Sequence, residues 1–330
     1  MNSPTIRHRP KAFPPPEFPQ HKPKRFARTP PAVFLPILGL LGLGMALRNG
    51  LTLLDLPPGL ADLVLGLASA LWLFATLAYL AKLARRPAAF AEDLRVLPGR
   101  AGVAAASLGG MVVAASLAPI APGLAWGLLI AALIAHAVQA VLLVRTLSGL
   151  PAPARQINPT DHLSYVGFIV AAPAAVALDM GGLAQALFWA TLPVALLIWA
   201  ISAAQLRHHS PPAPLRPLLA IHLVPAALFA TTTAMSGPLW LATGFVVFGA
   251  VLLLALLAGL RWITASGFSP IWGAFCYPLA ACAAAVLAVS PFFGTFVLIA
   301  ALGIIPPIAW RILKLWPGNR LAQKTNASEA

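Results

Sequence analysis

The chain has 330 residues, of which 60% are hydrophobic and only 9% are charged. Soluble domains carry about 25% charged residues, so this composition excludes an ordinary globular enzyme and is typical of one lipid-embedded unit. The net charge of +14 does not indicate nucleic-acid binding, because the basic residues flank apolar segments and form no stripe with interleaved aromatic residues.

Residues 1–31 are rich in proline and basic residues and contain no apolar stretch of the kind found in a signal peptide. This composition predicts a disordered, extended cytoplasmic arm. Residues 32–314 are predicted to form the transmembrane domain, and residues 315–330 a cytoplasmic C-terminal tail.

Ten apolar segments follow the arm, and most reach the roughly 17–25 residues that a membrane-spanning helix needs. The first and the fifth are of marginal length. The segments lie near 32–47, 60–82, 100–118, 123–146, 163–178, 182–204, 217–235, 238–259, 270–289 and 293–313.

The distribution of positive charge predicts the orientation of these segments. All but one of the 22 Lys and Arg residues lie in the arm, the C-terminal tail or alternate gaps between segments, and the exception is Arg48. Because cytoplasmic loops are enriched in Lys and Arg, both termini are predicted to be cytoplasmic. Very short turns then join the segments as five hairpins, 1–2, 3–4, 5–6, 7–8 and 9–10.

The odd-numbered segments each carry a predicted helix breaker and are rich in small residues. Proline removes a backbone hydrogen bond and kinks a helix, which is tolerated where protein or water surrounds the break. We therefore expect an inner ring of five kinked helices and an outer ring that faces lipid. The alternative is that these residues only help helices to pack. The predicted breakers are Pro36, Gly109, Gly110, Pro173, Pro225 and Pro278.

In the ninth segment, Tyr277 lies on a helical face otherwise made of Gly and Ala, while Phe275 lies on the opposite side. An aromatic ring on such a narrow face can plug a lumen. The alternative is that Tyr277 fills a gap between packed helices.

Few polar groups are predicted at membrane depth. No Asp or Glu lies in the middle of a segment, which argues against a tightly ion-coupled carrier and a cation-selective pore. His222 could offer a proton site or an anion donor, although a neutral, structural histidine is the simpler interpretation. Thr231 could offer a hydroxyl to an anion or bond its own helix. We find no metal-ligand spacing, no cofactor motif and no catalytic motif.

Three stretches resemble the tellurite-resistance/dicarboxylate transporter family, which includes plant slow anion channels. They are Pro31–Arg48, Leu215–Ala226 and Ile271–Ala280. The resemblance implies a quasi-fivefold arrangement of five hairpins around a central pore, a homotrimer, anion passage and an aromatic gate, which would be Tyr277, or Phe275 if the alignment shifts by two.

The chain also departs from the family pattern. The gate would be Tyr rather than Phe, a glycine pair replaces a common proline in the third segment, and apolar residues around Ala200 replace an acidic residue. These departures concern gating and substrate more than fold.

We therefore expect an all-α integral membrane protein that is not an enzyme and passes small anions, such as chloride, nitrate, dicarboxylate, sulfite or tellurite, through a central pore. The expected location is a bacterial-type inner (plasma) membrane, with lipid and anions as partners and without cofactor, metal or nucleic acid. Two alternatives are a proton-coupled C4-dicarboxylate carrier that uses His222 and a non-transporting membrane scaffold.

Overall fold

The computed structural model describes residues 24–330, and all regular secondary structure in that range is helical. The first 23 residues of the predicted arm lie outside the described residues. Among the described residues 24–330, nine helices are long and apolar enough to cross a membrane. A shorter apolar helix lies where the fifth segment was expected. We number these ten helices α1 to α10 in chain order: Pro31–Leu53, Gly59–Arg85, Leu97–Leu117, Pro122–Ser148, His162–Ala177, Gly181–His208, Ala213–Ser236, Leu239–Ala258, Pro270–Val289 and Pro291–Leu313.

The odd-numbered helices form a closed ring. Helix α1 packs against α3, α3 against α5, α5 against α7, α7 against α9, and α9 against α1. Each odd helix also packs against the even helix that follows it in the chain. The chain is therefore arranged as five consecutive helix pairs whose first members meet at the centre.

Burial divides the helices in the same way. In α1, α3, α7 and α9, 61% to 83% of the most apolar stretch is buried, whereas in the even helices the share is 11% to 33%. The even helices expose large apolar side chains, such as Leu67, Trp126 and Trp189. Apolar side chains turned outward in such numbers are typical of helices that face lipid.

Four odd helices change from tight 3-10 geometry to α-helix immediately before a proline. The α-helical part begins two residues before Pro36, Pro225 and Pro278, and one residue before Pro173. A proline in the first turn removes only an N–H that has no partner within the α-helix. The prolines therefore mark where each helix changes its winding. In α5, a short π-helical turn, His162–Val166, precedes the 3-10 segment.

Helix α3 is the exception, and the interruption expected at its glycine pair is absent. The α-helix runs through Gly109 and Gly110 without a break. A Cβ on Gly109 would lie 2.6 Å from Cδ1 of Trp72, whose indole Nε1 donates a 2.8 Å hydrogen bond to the Ala106 carbonyl. The glycines therefore make room for a tryptophan of α2 rather than bend α3.

A buried ion pair beside α2 holds the C-terminal segment against the helices. Lys82 of α2 and Asp93 of the short helix Ala88–Arg95 are both fully buried, with 2.8 Å between Nζ and Oδ2. Asp93 also accepts hydrogen bonds from the Tyr79 hydroxyl and from the backbone N–H of Ser328. The predicted C-terminal tail thus packs on the transmembrane helices, with a short helix of its own at Arg320–Lys324.

Candidate functional site

A cavity of about 240 Å³ is enclosed by all five odd helices. We call it the axial cavity, because no residue of an even helix lines it. Its lining residues lie from about the middle of each helix toward the end that carries Arg48, which we call the Arg48 end. We call the opposite end, near residues 24–30 and 314–330, the terminal end. One lining residue from each odd helix is Arg48, Val112, Pro173, Thr231 and Tyr277.

Tyr277 lies at the deep end of this cavity, and its side chain is only 6% exposed. Its ring rests on Gly42 of α1, where a Cβ would lie 2.9 Å from the ring atom Cδ2. Ala280, Ala281 and Ala284 continue the same face of α9 along the cavity wall. The glycine and the alanines leave the cavity open above the ring.

Arg48 is the one charged residue that lines the axial cavity among the residues that the structure describes. Its Nε and Nη2 donate to Oδ1 of Asp62 in α2 at 3.0 and 2.7 Å, and its Nη1 donates to the Ser116 carbonyl at 2.9 Å. Arg48 is not among the site residues predicted from the sequence. Its position as the single exception to the charge distribution was the signal that could have found it.

The comparison with protein families agrees with this architecture. The model of the SLAC1 family, described as voltage-dependent anion channel, matches residues 28–313. The chain belongs to this family. A comparison with curated proteins finds no match.

Membership of the voltage-dependent anion channel family confirms the resemblance found in the three sequence stretches. The protein is a multi-pass, helical membrane protein of a family of anion channels and transporters rather than of enzymes. The axial cavity is the candidate site of anion passage in this family member.

The other predicted site residues divide into two groups. Pro173 and Thr231 line the axial cavity, and the Thr231 hydroxyl donates to the Ala227 carbonyl of its own helix at 2.9 Å. Phe275 does not line it and instead packs edge-on against Trp272, with 5.7 Å between ring centroids. The remaining predicted positions also lie outside the lining: Pro36, Gly109, Gly110, Pro225 and Pro278.

His222 lies away from the axial cavity and pairs with a second histidine. Its Nδ1 is 2.9 Å from Nε2 of His162, the first residue of α5. Both imidazoles are buried. The sequence does not predict the pairing of His162 with His222, because His162 lies just before the apolar segment and 60 residues from its partner.

The described residues offer no group of three or more His, Cys, Asp or Glu side chains that could hold a metal ion. Cys276 and Cys282 are buried free thiols. The chemistry available at the axial cavity is therefore that of one guanidinium, hydroxyl and amide groups, and apolar walls.

Proposed function

We propose that this protein is an anion channel or uniporter-like transporter in which small anions pass along the axial cavity and Tyr277 obstructs the path. The single observation that carries the proposal is the cavity enclosed by all five odd helices, with Tyr277 at its deep end. A non-transporting scaffold would not need a recess bounded by all five odd helices.

The sign of the transported charge follows from the lining. Arg48 is cationic, and no acidic residue of the described range 24–330 lines the axial cavity. Asn49 and Thr231 add uncharged polar groups. A weakly polar wall with one positive group attracts an anion without binding it too tightly to leave, which conduction requires.

Tyr277 combines obstruction with a polar group. The ring occupies the deep end of the cavity. Its phenol O–H is a donor that an arriving anion could accept from. Removal of the ring would widen the path, whereas removal of the hydroxyl alone would leave the obstruction in place.

The experiment that tests this proposal is anion current or flux through purified protein in liposomes. We expect Tyr277→Ala to raise the current and Tyr277→Phe to leave it low. Phe275→Ala is the matched control, because Phe275 is an aromatic residue of the same helix that does not line the axial cavity. An unchanged current in Tyr277→Ala, or an equal rise in Phe275→Ala, would contradict the proposal.

The carrier alternative loses its main support, because it relied on His222 and that side chain lies away from the axial cavity. A flux that required a pH gradient and disappeared in His222→Asn would restore it.

We also propose that both termini are cytoplasmic, which places the Arg48 end outside. The confinement of Lys and Arg to alternate gaps supports this orientation.

A further inference from the structure

A second cavity, of about 640 Å³, lies at the terminal end of the helices. It is bounded by the start of α3, the connection between α4 and α5, the end of α6 and the start of α7. We call it the lateral cavity, because α1 and α9 do not contribute to it. It shares no lining residue with the axial cavity.

The charge of the lateral cavity has one sign. No Asp or Glu among residues 24–330 lines it, whereas Arg95 and Arg100 do. Arg100 is only 3% exposed, and no carboxylate among residues 24–330 comes within 4.0 Å of its guanidinium. Buried arginines are almost always paired with an opposite charge. The buried Asp161 is near enough to act on Arg100 electrostatically, but Arg100 forms no direct ion pair within the described part of the chain.

The protein holds the Arg100 side chain by backbone groups alone. Its Nε donates to the Leu94 carbonyl at 2.8 Å, and its Nη2 donates to the Ala154 carbonyl at 3.3 Å. Its Nη1 forms no hydrogen bond within residues 24–330. These contacts fix the plane of the guanidinium and leave donors available, which suits recognition of a phosphate or carboxylate group.

Two further polar side chains in the wall lack partners. Ser202 of α6 and His222 of α7 are 6% and 8% exposed, and the Ser202 Oγ and the His222 Nε2 have no hydrogen-bond partner among the described residues. When His162 donates its Nε2 proton to His222 Nδ1, the neutral His222 ring carries its own proton on Nε2. The wall then offers a hydroxyl and an imidazole donor besides the guanidinium.

We propose that the lateral cavity is a binding site for a molecule that bears a phosphate or carboxylate group, held by Arg100 with Ser202 and His222. The cavity volume lies in the range of about 300–1,000 Å³ that small-molecule sites occupy, which is larger than a bare halide requires. The ligand is either a soluble oxyanion or the headgroup of an anionic lipid. The site does not depend on conduction along the axial cavity.

The experiment measures binding of pyrophosphate and of citrate to the purified full chain in detergent, by calorimetry, and retention of phosphatidylglycerol by mass spectrometry. We expect Arg100→Gln to weaken binding roughly 10- to 100-fold. We expect Ser202→Ala to weaken it roughly three- to tenfold. Ser164→Ala is the matched control, because Ser164 is also buried with an unpartnered hydroxyl but does not line the lateral cavity.

The outcomes separate the two ligand sources. Saturable binding of pyrophosphate or citrate, lost in Arg100→Gln and weakened in Ser202→Ala but not in Ser164→Ala, supports a soluble ligand. Retained phosphatidylglycerol with the same pattern of losses supports a lipid headgroup. The proposal would be overturned if neither soluble-ligand binding nor lipid retention were seen. It would also be overturned if Ser202→Ala and Ser164→Ala bound equally strongly, and this comparison remains valid even if Arg100→Gln failed to fold.

Discussion

Arg48 allows the electrostatics of the axial cavity to be tested quantitatively. An anion about 4 Å from the guanidinium gains about 4 kcal/mol at an effective dielectric constant near 20. Asp62, bound to the far side of Arg48 at 2.7 Å, would lie roughly 7 Å from that anion and take back about 2.4 kcal/mol. Because the two side chains are 19% and 50% exposed, solvent screening reduces the net attraction to about 1 kcal/mol. That is roughly fivefold in anion occupancy.

We therefore expect Arg48→Gln combined with Asp62→Asn to lower anion flux about fivefold at subsaturating anion concentration, and Arg48→Gln alone to lower it further, because the Asp62 charge is then unopposed. Asp62→Asn should raise flux, because it removes the opposing charge, and Arg48→Lys should keep most of the wild-type value. The assay is flux into liposomes at about 0.01 and 0.1 M ionic strength, where the screening length falls from about 30 to about 10 Å. Equal flux in wild type and Arg48→Gln at low ionic strength, or lower flux in Asp62→Asn, would refute the reasoning.

Three further predictions concern stability, measured by thermal unfolding in detergent. Gly39→Ala should lower the free energy of unfolding by about 1–3 kcal/mol or more, because its methyl group would lie 2.1 Å from a Cβ of α9. Gly66→Ala should raise the free energy of unfolding by up to about 1 kcal/mol, because no atom lies within 4 Å of the added methyl group. Lys82→Met should cost about 3–5 kcal/mol by leaving a buried carboxylate unpaired, and the double variant with Asp93→Leu should recover most of that loss. Burial raises the pKa of Asp161 from 3.8 to about 6. Because the folded state then holds this proton more tightly than the unfolded state does, wild-type stability should fall by roughly 3 kcal/mol as pH rises from about 4 to 6. Asp161→Asn should lack this fall. A pH profile for Asp161→Asn that parallels wild type would contradict the last prediction.

The division into central and peripheral helices could be predicted because lipid and protein select different side chains. Helices that pack on both sides favour Gly and Ala, which allow backbones to approach closely. Gly39 and Gly42 of α1 meet Cys276 and Tyr277 of α9 in this way. The small-residue face that identified Tyr277 in the sequence is the same face that lines the axial cavity.

Contacts between distant helices could not be predicted in the same way. The glycine pair of α3 suggested a break, because nothing in the sequence shows that Trp72 fills the space beside Gly109. The pairing of His162 with His222 likewise depends on how α5 and α7 meet. Hydropathy places each helix in the membrane but does not specify which side chains face each other across an interface.

The packing around Tyr277 limits how the proposed path could open. Helices α1 and α9 are in close contact at this level, where a Cβ on Gly39 would lie 2.1 Å from the Cys276 Cβ. Separation of the helices would expose buried apolar surface, at about 25 cal/mol for each Å², and sliding would force backbone atoms together. Reorientation of the Tyr277 side chain moves neither helix. We therefore expect the obstruction to be relieved by the ring itself, with Gly42 as the residue that leaves it room to turn.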